Sequence, residues 1–421
     1  MKPFNELIKS FDKIREYLRA FTVYGYKQRE DFDHKSLRTY DNEKRRIQSY
    51  LSPYISEQTS NHGKRLGINF DYLSITYNPL FDGFKTKSFT KNDIMLHFIL
   101  LDLLKTYPKL TLNEIYEHTL SDYLEHFETC KIFDQRTLRI KIHEYMTNGI
   151  ILEEKEGKSF YYHLAPTPID ALPDITKTHL LYALSFYQNI SPLGILGHFL
   201  LEQEDYNSPY FAFSHLHFSH TVDELILFDL LNAIKAQKMI QLVHTSGSEN
   251  TVLPLKIVDN VEQGRRYVMV YHYQDTRYKF YRLDKLLKVK PLETTDKTFM
   301  QKRRIIDTLL DTTWGVALGG MDYPHHLEVW ELILHIDETY EQALIAKIEQ
   351  AHQEAILQRV GPDTFHYTLS ILDANEAMPW LRQFIGRIQS IHCTNHQALN
   401  RFIKDIKLMK SYYEEVSHDT F

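Results

Sequence analysis

Residues 265–289 read RRYVMVYHYQDTRYKFYRLDKLLKV, and this stretch combines the alternation of a β-strand with many basic and aromatic side chains. Strand alternation places Tyr267 and Tyr271 on one face and Arg266 on the other. Between positions 262 and 290 there are eight cationic and three acidic residues, although the whole chain has a formal net charge of -6. The positive charge of this acidic protein is therefore concentrated locally, which indicates an anionic partner at a defined place.

The residues alone leave two interpretations of this stretch open. Aromatic faces stack on nucleic-acid bases and cations hold phosphates, so rings and cations side by side suit an anionic, base-bearing ligand. The alternative is an ordinary sheet with rings in its core, cations in water and Asp284 paired with Arg282. Further strands at 239–244 and 251–258 predict that the stretch belongs to a small antiparallel sheet or barrel.

The preceding part of the chain shows an ordered series of helices that ends in a hairpin. Residues 91–106 predict a strongly apolar helix, and Thr111 with Glu114 forms a capping box that opens a short second helix. Asp134 is the N-cap of a third, basic helix and Gly149 is the C-cap candidate that follows it, and residues 150–164 predict two strands joined by a turn. This is the order of a winged helix-turn-helix unit, whose third helix can enter the major groove of DNA.

The first 85 residues predict a divergent version of the same unit, with a basic helix that begins after Ser36 and ends near Pro53. Arginine can contact phosphates or guanine edges, and Asn42 can read adenine; the alternative is a solvated amphipathic helix. Because Ile140 interrupts the outward face of the second basic helix, we expect the first unit to make most base contacts. The candidate DNA-binding residues are Lys35, Arg38, Thr39, Asn42, Arg45, Arg46, Lys64, Arg65 and, from the second unit, Arg136.

Several motifs of the C-terminal half resemble those of the WYL-domain transcriptional regulators of bacteria. The Trp-Tyr-Leu motif of that family corresponds to residues 266–268, Arg-Tyr-Val, after Gly264. Its second signature, Arg-x-Phe-Arg-Leu-Asp-Arg-Ile, corresponds to residues 279–286, KFYRLDKL, and Pro254 lies where the family has a proline. Residues 375–391, NEAMPWLRQFIGRIQSI, are similar to its C-terminal extension.

This resemblance implies a DNA-binding regulator whose barrel senses an anionic ligand that is nucleotide-like or a nucleic acid, and whose extension helps to form a homodimer. Lys279 replaces an arginine of the family and lacks the bidentate fork that matches a phosphate. The ligand-binding residues that the resemblance and the alternation suggest are Tyr267, Tyr271, Lys279, Tyr281, Arg282 and Asp284.

The predicted fold is α+β and multidomain. It has tandem winged-helix units, a small SH3/Sm-like β-barrel (the WYL domain) and a C-terminal ferredoxin-like α/β extension. The expected segments are 1–85 and 86–168 for the winged-helix units, 169–237 for a helical linker, 238–293 for the barrel, 294–325 for a second helical linker and 326–421 for the extension.

Composition and motifs argue against several other classes of protein. The two cysteines, Cys130 and Cys393, are far apart, and no apolar run or signal peptide is visible, so we expect a cytoplasmic chain with reduced thiols and no membrane contact. No nucleophile elbow, phosphate loop or zinc-protease motif occurs, so neither an enzyme nor a cofactor is predicted. Two histidine clusters have metal-like spacing, but a structural role is expected for them. They are His215, His217 and His220 with Asp223, and His325 with His326.

We therefore expect a ligand-responsive transcriptional regulator, a repressor, that binds an inverted-repeat operator as a homodimer. Two alternatives remain at this stage. One is a nucleic-acid-processing enzyme that uses the barrel as a substrate clamp. The other is an adaptor that binds protein and not DNA, whose affinity would show no steep dependence on salt.

Overall fold

The computed structural model describes residues 11–32, 36–60, 63–70, 78–85, 91–125, 134–166, 169, 171–208, 210–211, 213, 216–319 and 326–416. This part of the chain combines α-helices with several small antiparallel sheets, which confirms a mixed helix and sheet class. The chain divides into two compact units, Met1–Val222 and Asp223–Phe421, and the division falls inside the predicted linker 169–237. No helix in the described ranges is long and apolar enough to cross a membrane.

The first unit opens with a helix–hairpin module over residues 11–68. Its elements are α1 (Phe11–Val23), α2 (Leu37–Leu51), β1 (Ile55–Ser60) and β2 (Gly63–Ile68). The Ser36 side chain accepts the backbone N–H of Thr39 at 3.2 Å, which confirms the predicted start of α2. Apolar residues from both helices and from β2 share one core, which includes Phe21, Ile47 and Leu66.

A single β-bridge joins the segment after α1 to the hairpin of this first module. Lys27 and Leu66 form an antiparallel bridge with reciprocal backbone hydrogen bonds of 2.8 and 2.7 Å. A 3-10 turn at Arg29–Asp31 lies between this bridge and α2. The order is therefore helix, bridge, turn, helix, hairpin.

The second module covers residues 91–164 and repeats that order with fuller elements. They are α3 (Lys91–Thr106), β3 (Leu110–Thr111), α4 (Leu112–His118), α5 (Gln135–Thr147), β4 (Ile151–Glu156) and β5 (Ser159–Leu164). Thr111 and Glu114 form the predicted capping box, and Asp134 caps α5. Gly149, with φ +70°, ends α5 as expected, since glycine adopts this conformation at no steric cost. The sheet order is β3-β5-β4.

Two helices follow in the first unit, α6 (Asp174–Tyr187) and α7 (Ile195–Gln203). Leu181 and Leu201 are buried between them with Ile169. The turn that joins the helices is tight, because a Cβ atom on Gly194 would lie 1.9 Å from the carbonyl oxygen of Gln188. Residues 174–203 are thus mainly helical.

The second unit begins with α8 (Glu224–Lys235) and a five-stranded antiparallel sheet. Its strands are β6 (Lys238–His244), β7 (Glu249–Asn260), β8 (Arg265–His272), β9 (Arg277–Arg282) and β10 (Leu286–Thr295). The order β10-β6-β7-β8-β9 is a four-stranded meander whose fifth strand returns beside the first. The 3-10 turn Leu283–Lys285 makes that return.

The rest of the second unit is one long helix and a four-stranded sheet covered by helices. The elements are α9 (Phe299–Asp311), β11 (Glu328–His335), α10 (Gln342–Glu349), β12 (Ala355–Gly361), β13 (Thr364–Ile371), α11 (Ala374–Leu381), β14 (Ile388–Cys393) and α12 (His396–Val416). The antiparallel order is β12-β13-β11-β14. Trp330, Tyr367 and Phe402 are fully buried in the core of this sheet.

Candidate DNA interface and anion site

The solvent side of α2 carries the first group of predicted DNA-binding residues. Arg38 and Arg45 are exposed, and an Nη atom of Arg45 donates to Oδ1 of Asn42 at 2.7 Å. The Thr39 hydroxyl lies 2.8 Å from the hydroxyl of Ser36. Arg38, Asn42 and Arg45 therefore share one surface, as their helical spacing predicts, whereas Lys35 lies outside the described residues.

Arg46 lies apart from this surface. Its guanidinium is 2.6 Å from the carboxylate of Glu43, and the two side chains are 12% and 7% exposed. A cation that is held on a buried carboxylate gains little from a phosphate, because it would have to leave its partner. The structure thus gives Arg46 an internal role, although the sequence suggested a DNA contact.

The hairpin β1–β2 adds cations beside the exposed face of α2. The Lys64 side chain is 67% exposed, and its ammonium lies 3.4 Å from the carboxylate of Glu57. The ammonium of Lys44 lies 3.1 Å from the same carboxylate. The hydrogen bond from Lys44 is the main cause that lowers the pKa of Glu57. Arg65 is exposed and lies opposite Gln58 in the ladder. One carboxylate therefore serves two lysines, and Arg65 adds a further positive charge.

The second module presents a different surface. Arg136 and His143 are exposed on α5, but so is Ile140, at 62%. The hairpin strand β4 exposes Glu153, Glu154 and Glu156, and Lys109 pairs with the last two of these. Lys155 and Lys158 of the same hairpin are exposed as well, so three carboxylates meet two cations and the formal charge of residues 151–164 is −1. The hairpin of the first module has Glu57 against Lys64 and Arg65, a formal charge of +1, so the two hairpins differ in the sign of their charge.

The five-stranded sheet divides the predicted ligand residues between its two faces. Arg282 is paired with Tyr267 in the ladder, so both lie on the face that also carries Tyr271. Tyr281 and Lys279 are paired with residues of the alternate set and point to the opposite face. The six predicted residues therefore do not form a single cluster.

Tyr271 is part of the junction between the sheet and α9. The ammonium of Lys302 lies 4.4 Å from the centre of its ring and 5.2 Å from that of Tyr273. Lys302 also pairs with Asp296 at 2.6 Å, and Asp296 accepts the hydroxyl of Tyr273. The cation at the rings of Tyr271 and Tyr273 is thus Lys302 of the protein itself, and Tyr271 has a packing role.

A pair of arginines on one buried carboxylate lies near Tyr267. Arg282 donates to Asp284 through Nε at 2.9 Å and through Nη2 at 2.5 Å, and Arg265 approaches the same carboxylate at 3.3 Å. Asp284 is 2% exposed on its side chain, whereas Arg265 and Arg282 are 29% and 31% exposed. Two guanidinium groups thus meet one buried carboxylate and are themselves partly exposed, and their planar arrays of donors match the geometry of a phosphate or a carboxylate.

Arg265 was not among the predicted ligand residues. Strand alternation places it on the same face as Tyr267, and this signal was present in the sequence. The pairing of Tyr267 with Arg282 in the ladder, which brings Arg265 close to Arg282, became visible only in the structure. Tyr267 itself is 7% exposed, and its hydroxyl donates to Gln263 at 3.0 Å. Burial raises the pKa of Tyr267, so the hydroxyl stays protonated and can only offer a neutral hydrogen bond.

Arg266, the next residue, uses its charge inside the protein. It lies 3.0 Å from Glu224 of α8 and 3.0 Å from Asp259, and it is 5% exposed. Removing either partner from such a buried pair is costly. Part of the positive charge of the stretch 265–289 therefore stabilises the fold and is not offered to a ligand.

The opposite face carries a chain of polar side chains that joins two histidines. His272 and His244 lie 3.2 and 3.0 Å from the two ends of the Asn250 amide. Burial lowers the pKa of both imidazoles, so both are neutral at pH 7. Lys279 pairs with Asp275, and the ring of Tyr281 lies 5.0 Å from that of His244. Lys279 and Tyr281 thus belong to this polar network.

The histidine clusters do not build a metal site in the part of the chain that the structure describes. The rings of His217 and His220 are 5.7 Å apart, and no group of three His, Cys, Asp or Glu residues there could hold a metal ion. His215 and His325 lie outside the described residues.

No protein-family model matches the sequence, and no curated protein matches it. One of the matching solved structures is the proteasome accessory factor B/C (PafBC) of Arthrobacter aurescens, with a TM-score of 0.20 and 12% sequence identity. The match covers 68% of this chain and 44% of that one, so this chain spans less than half of the PafBC chain.

Proposed function

We propose that this protein is a DNA-binding transcriptional regulator of the WYL-domain class. The order of elements in both modules supports tandem winged-helix units, and the strand orders support an SH3-like sheet followed by a ferredoxin-like extension. One observation carries the DNA-binding role. The exposed face of α2 carries Arg38 and Arg45, and the hairpin that follows α2 carries Lys64 and Arg65. This is the arrangement of a helix that enters a DNA groove and a basic wing that contacts the phosphate backbone.

In this proposal the first module makes the main DNA contacts and the second module plays a smaller part. The acidic hairpin β4–β5 and the exposed Ile140 support that ranking, because both weaken attraction to phosphates. A homodimer would present two first modules to an inverted-repeat operator, and the protein would act as a cytoplasmic repressor.

The sensor in this proposal is the Arg265–Arg282 pair on Asp284. The buried carboxylate holds both guanidinium groups in place, so a phosphate of a nucleotide or of a short single strand meets donors that are already oriented. Ligand binding alters DNA affinity only if it favours one conformation of the protein over another. The proposal therefore requires that the sheet differ between the ligand-bound and DNA-bound states.

The first test is selection of bound fragments from genomic DNA, followed by titration of the selected DNA in fluorescence anisotropy. We expect Arg45→Ala to weaken binding more than Arg136→Ala at the same salt concentration. Equal losses would refute the ranking of the modules, and an absence of any enriched fragment would refute the DNA-binding role. Nucleotides and short single strands are then added as competitors to test the sensor.

A further inference from the structure

The segment 216–222, which we call the connector, lies far along the chain from the first module but forms part of its core. Phe218 and Val222 are 3% and 0% exposed and belong to the hydrophobic core of α1, α2 and β2. The ring of Phe218 meets that of Phe70 edge-on, with centres 6.0 Å apart. The module that carries the proposed DNA contacts is therefore built from two distant parts of the chain.

Two buried hydrogen bonds hold the connector in this position. Nε of Arg15, on α1, donates to the carbonyl oxygen of Val222 at 2.6 Å, and Arg15 is 4% exposed. Nδ2 of Asn78 donates to the hydroxyl of Thr221 at 2.7 Å, and these two residues are 1% and 4% exposed. A buried polar group is costly to leave without a partner, so both hydrogen bonds resist a displacement of the connector.

The connector continues into α8 with no exposed residue in between. The 3-10 turn Phe218–Asp223 is followed directly by α8, and Asp223 and Glu224 are 1% and 4% exposed. The carboxylate of Glu224 pairs with the buried guanidinium of Arg266 on β8, and α8 lies against β6, β7 and β10. Only Asp223 thus separates Val222, which is held in the first module, from a residue that is held on the five-stranded sheet.

We propose that the connector transmits the conformation of the five-stranded sheet to the first module. Loss or displacement of the Arg266–Glu224 ion pair loosens the first turn of α8, because Glu224 is then left as a buried charge without its partner. Asp223 is the one residue that can absorb this movement before it reaches Val222. Coupling between distant sites travels through such contiguous packed and hydrogen-bonded residues.

The path continues from the connector to α2. Val222 is bonded to Arg15 of α1, and the rings of Tyr17 and Phe21 on the same helix lie 6.2 and 6.4 Å from the ring of Tyr40 on α2. No residue of the second module takes part in this path. Its regulatory use rests on the proposed function, in which α2 contacts DNA and the sheet carries the sensor.

Hydrogen–deuterium exchange of the full-length chain, without DNA or ligand, tests the proposal. Arg266→Met should speed amide exchange in the sheet and, by about tenfold, in α1 as well, since coupled sites usually differ by about 5- to 150-fold. Lys302→Met is the matched control, because it breaks an ion pair with Asp296, also little exposed, on the α9 side of the same sheet. It should speed exchange in the sheet and leave α1 unchanged.

Insertion of two glycines between Val222 and Asp223 breaks the path without removing any side chain. In the inserted chain, Arg266→Met should no longer speed exchange in α1. Unchanged exchange of α1 in Arg266→Met, an equal effect of Lys302→Met on α1, or an equal effect of Arg266→Met with and without the glycines would each overturn the proposal. If circular dichroism shows that the inserted chain does not fold, the comparison of Arg266→Met with Lys302→Met decides alone. A negative result leaves the proposed DNA binding untouched, because DNA binding is measured separately by fragment selection and anisotropy.

Discussion

The first prediction concerns two arginines of the first module that sequence alone treats as equivalent. Arg46→Ala removes the 2.6 Å partner of Glu43, a side chain that is 7% exposed. A hydrogen bond to a charged group contributes about 1.5 to 3 kcal/mol, so this variant should be less stable by up to that amount. Because Arg46 itself is 12% exposed, its replacement should leave the number of phosphate contacts unchanged.

Arg65→Ala should have the opposite result. Arg65 is exposed on the hairpin, and its removal leaves no buried charge behind. Each lost phosphate contact reduces the slope of log K against log salt by about 0.9. If Arg38, Arg45, Lys64 and Arg65 each make one such contact, the first module contributes a slope of about −3.6, and the variant about −2.7.

The assay is fluorescence anisotropy with selected DNA over a series of salt concentrations, combined with urea unfolding of each variant. We expect the salt slope to change in Arg65→Ala alone and the unfolding free energy to change in Arg46→Ala alone. A salt slope that falls equally in both variants would show that Arg46 reaches the phosphates. The separation of internal and external cations would then be wrong.

Three further outcomes are expected for the second unit. Arg282→Ala should keep operator binding. It should weaken the binding of an anionic competitor about ten- to a hundredfold in competition anisotropy, because two charge-assisted hydrogen bonds to a phosphate are lost. An unaltered ligand response would exclude the sheet as the sensor. Arg266→Met should lower the unfolding free energy by about 3 to 5 kcal/mol in urea, and Glu224→Gln in the same chain should restore part of it; additive losses would contradict the ion pair. Burial lowers the pKa of His272 below its ordinary value of 6.5, so below that pH the unfolded chain binds a proton that the folded chain does not, and stability should fall as the solution is acidified. His272→Gln should reduce this fall in urea titrations between neutral and acidic pH, and an identical pH profile would refute the assignment.

Local signals predicted the boundaries of the second module well. Thr111, Asp134 and Gly149 each satisfy a backbone group at a helix end, and that chemistry depends on near neighbours in the sequence. The strand β1 was missed, because ISEQTS is polar and has no strand periodicity. Its extended conformation comes from pairing with β2, which no local pattern reveals.

The partners of the cations in the candidate site are harder to predict than the helix ends, for a related reason. Helical spacing placed Arg38 and Arg45 on the solvent side, because helix periodicity alone determines the face. Whether a cation can meet a ligand depends on residues that are distant in the sequence, such as Glu224 for Arg266. Ion pairs over 42 positions of separation leave no signal in one sequence.

Arg265 and Arg266 stand back to back on β8, since successive side chains of a strand leave opposite sides of the backbone. The guanidinium of Arg265 belongs to the arginine pair. The guanidinium of Arg266 forms an ion pair with Glu224, the first residue of α8, one position after the start of the second unit. A single peptide bond thus separates an arginine of the proposed sensor from the ion pair that joins β8 to α8. If the proposed ligand draws Arg265 outward, the same movement of β8 strains the Arg266–Glu224 pair, so two consecutive residues would couple the proposed sensor to the first helix of the second unit.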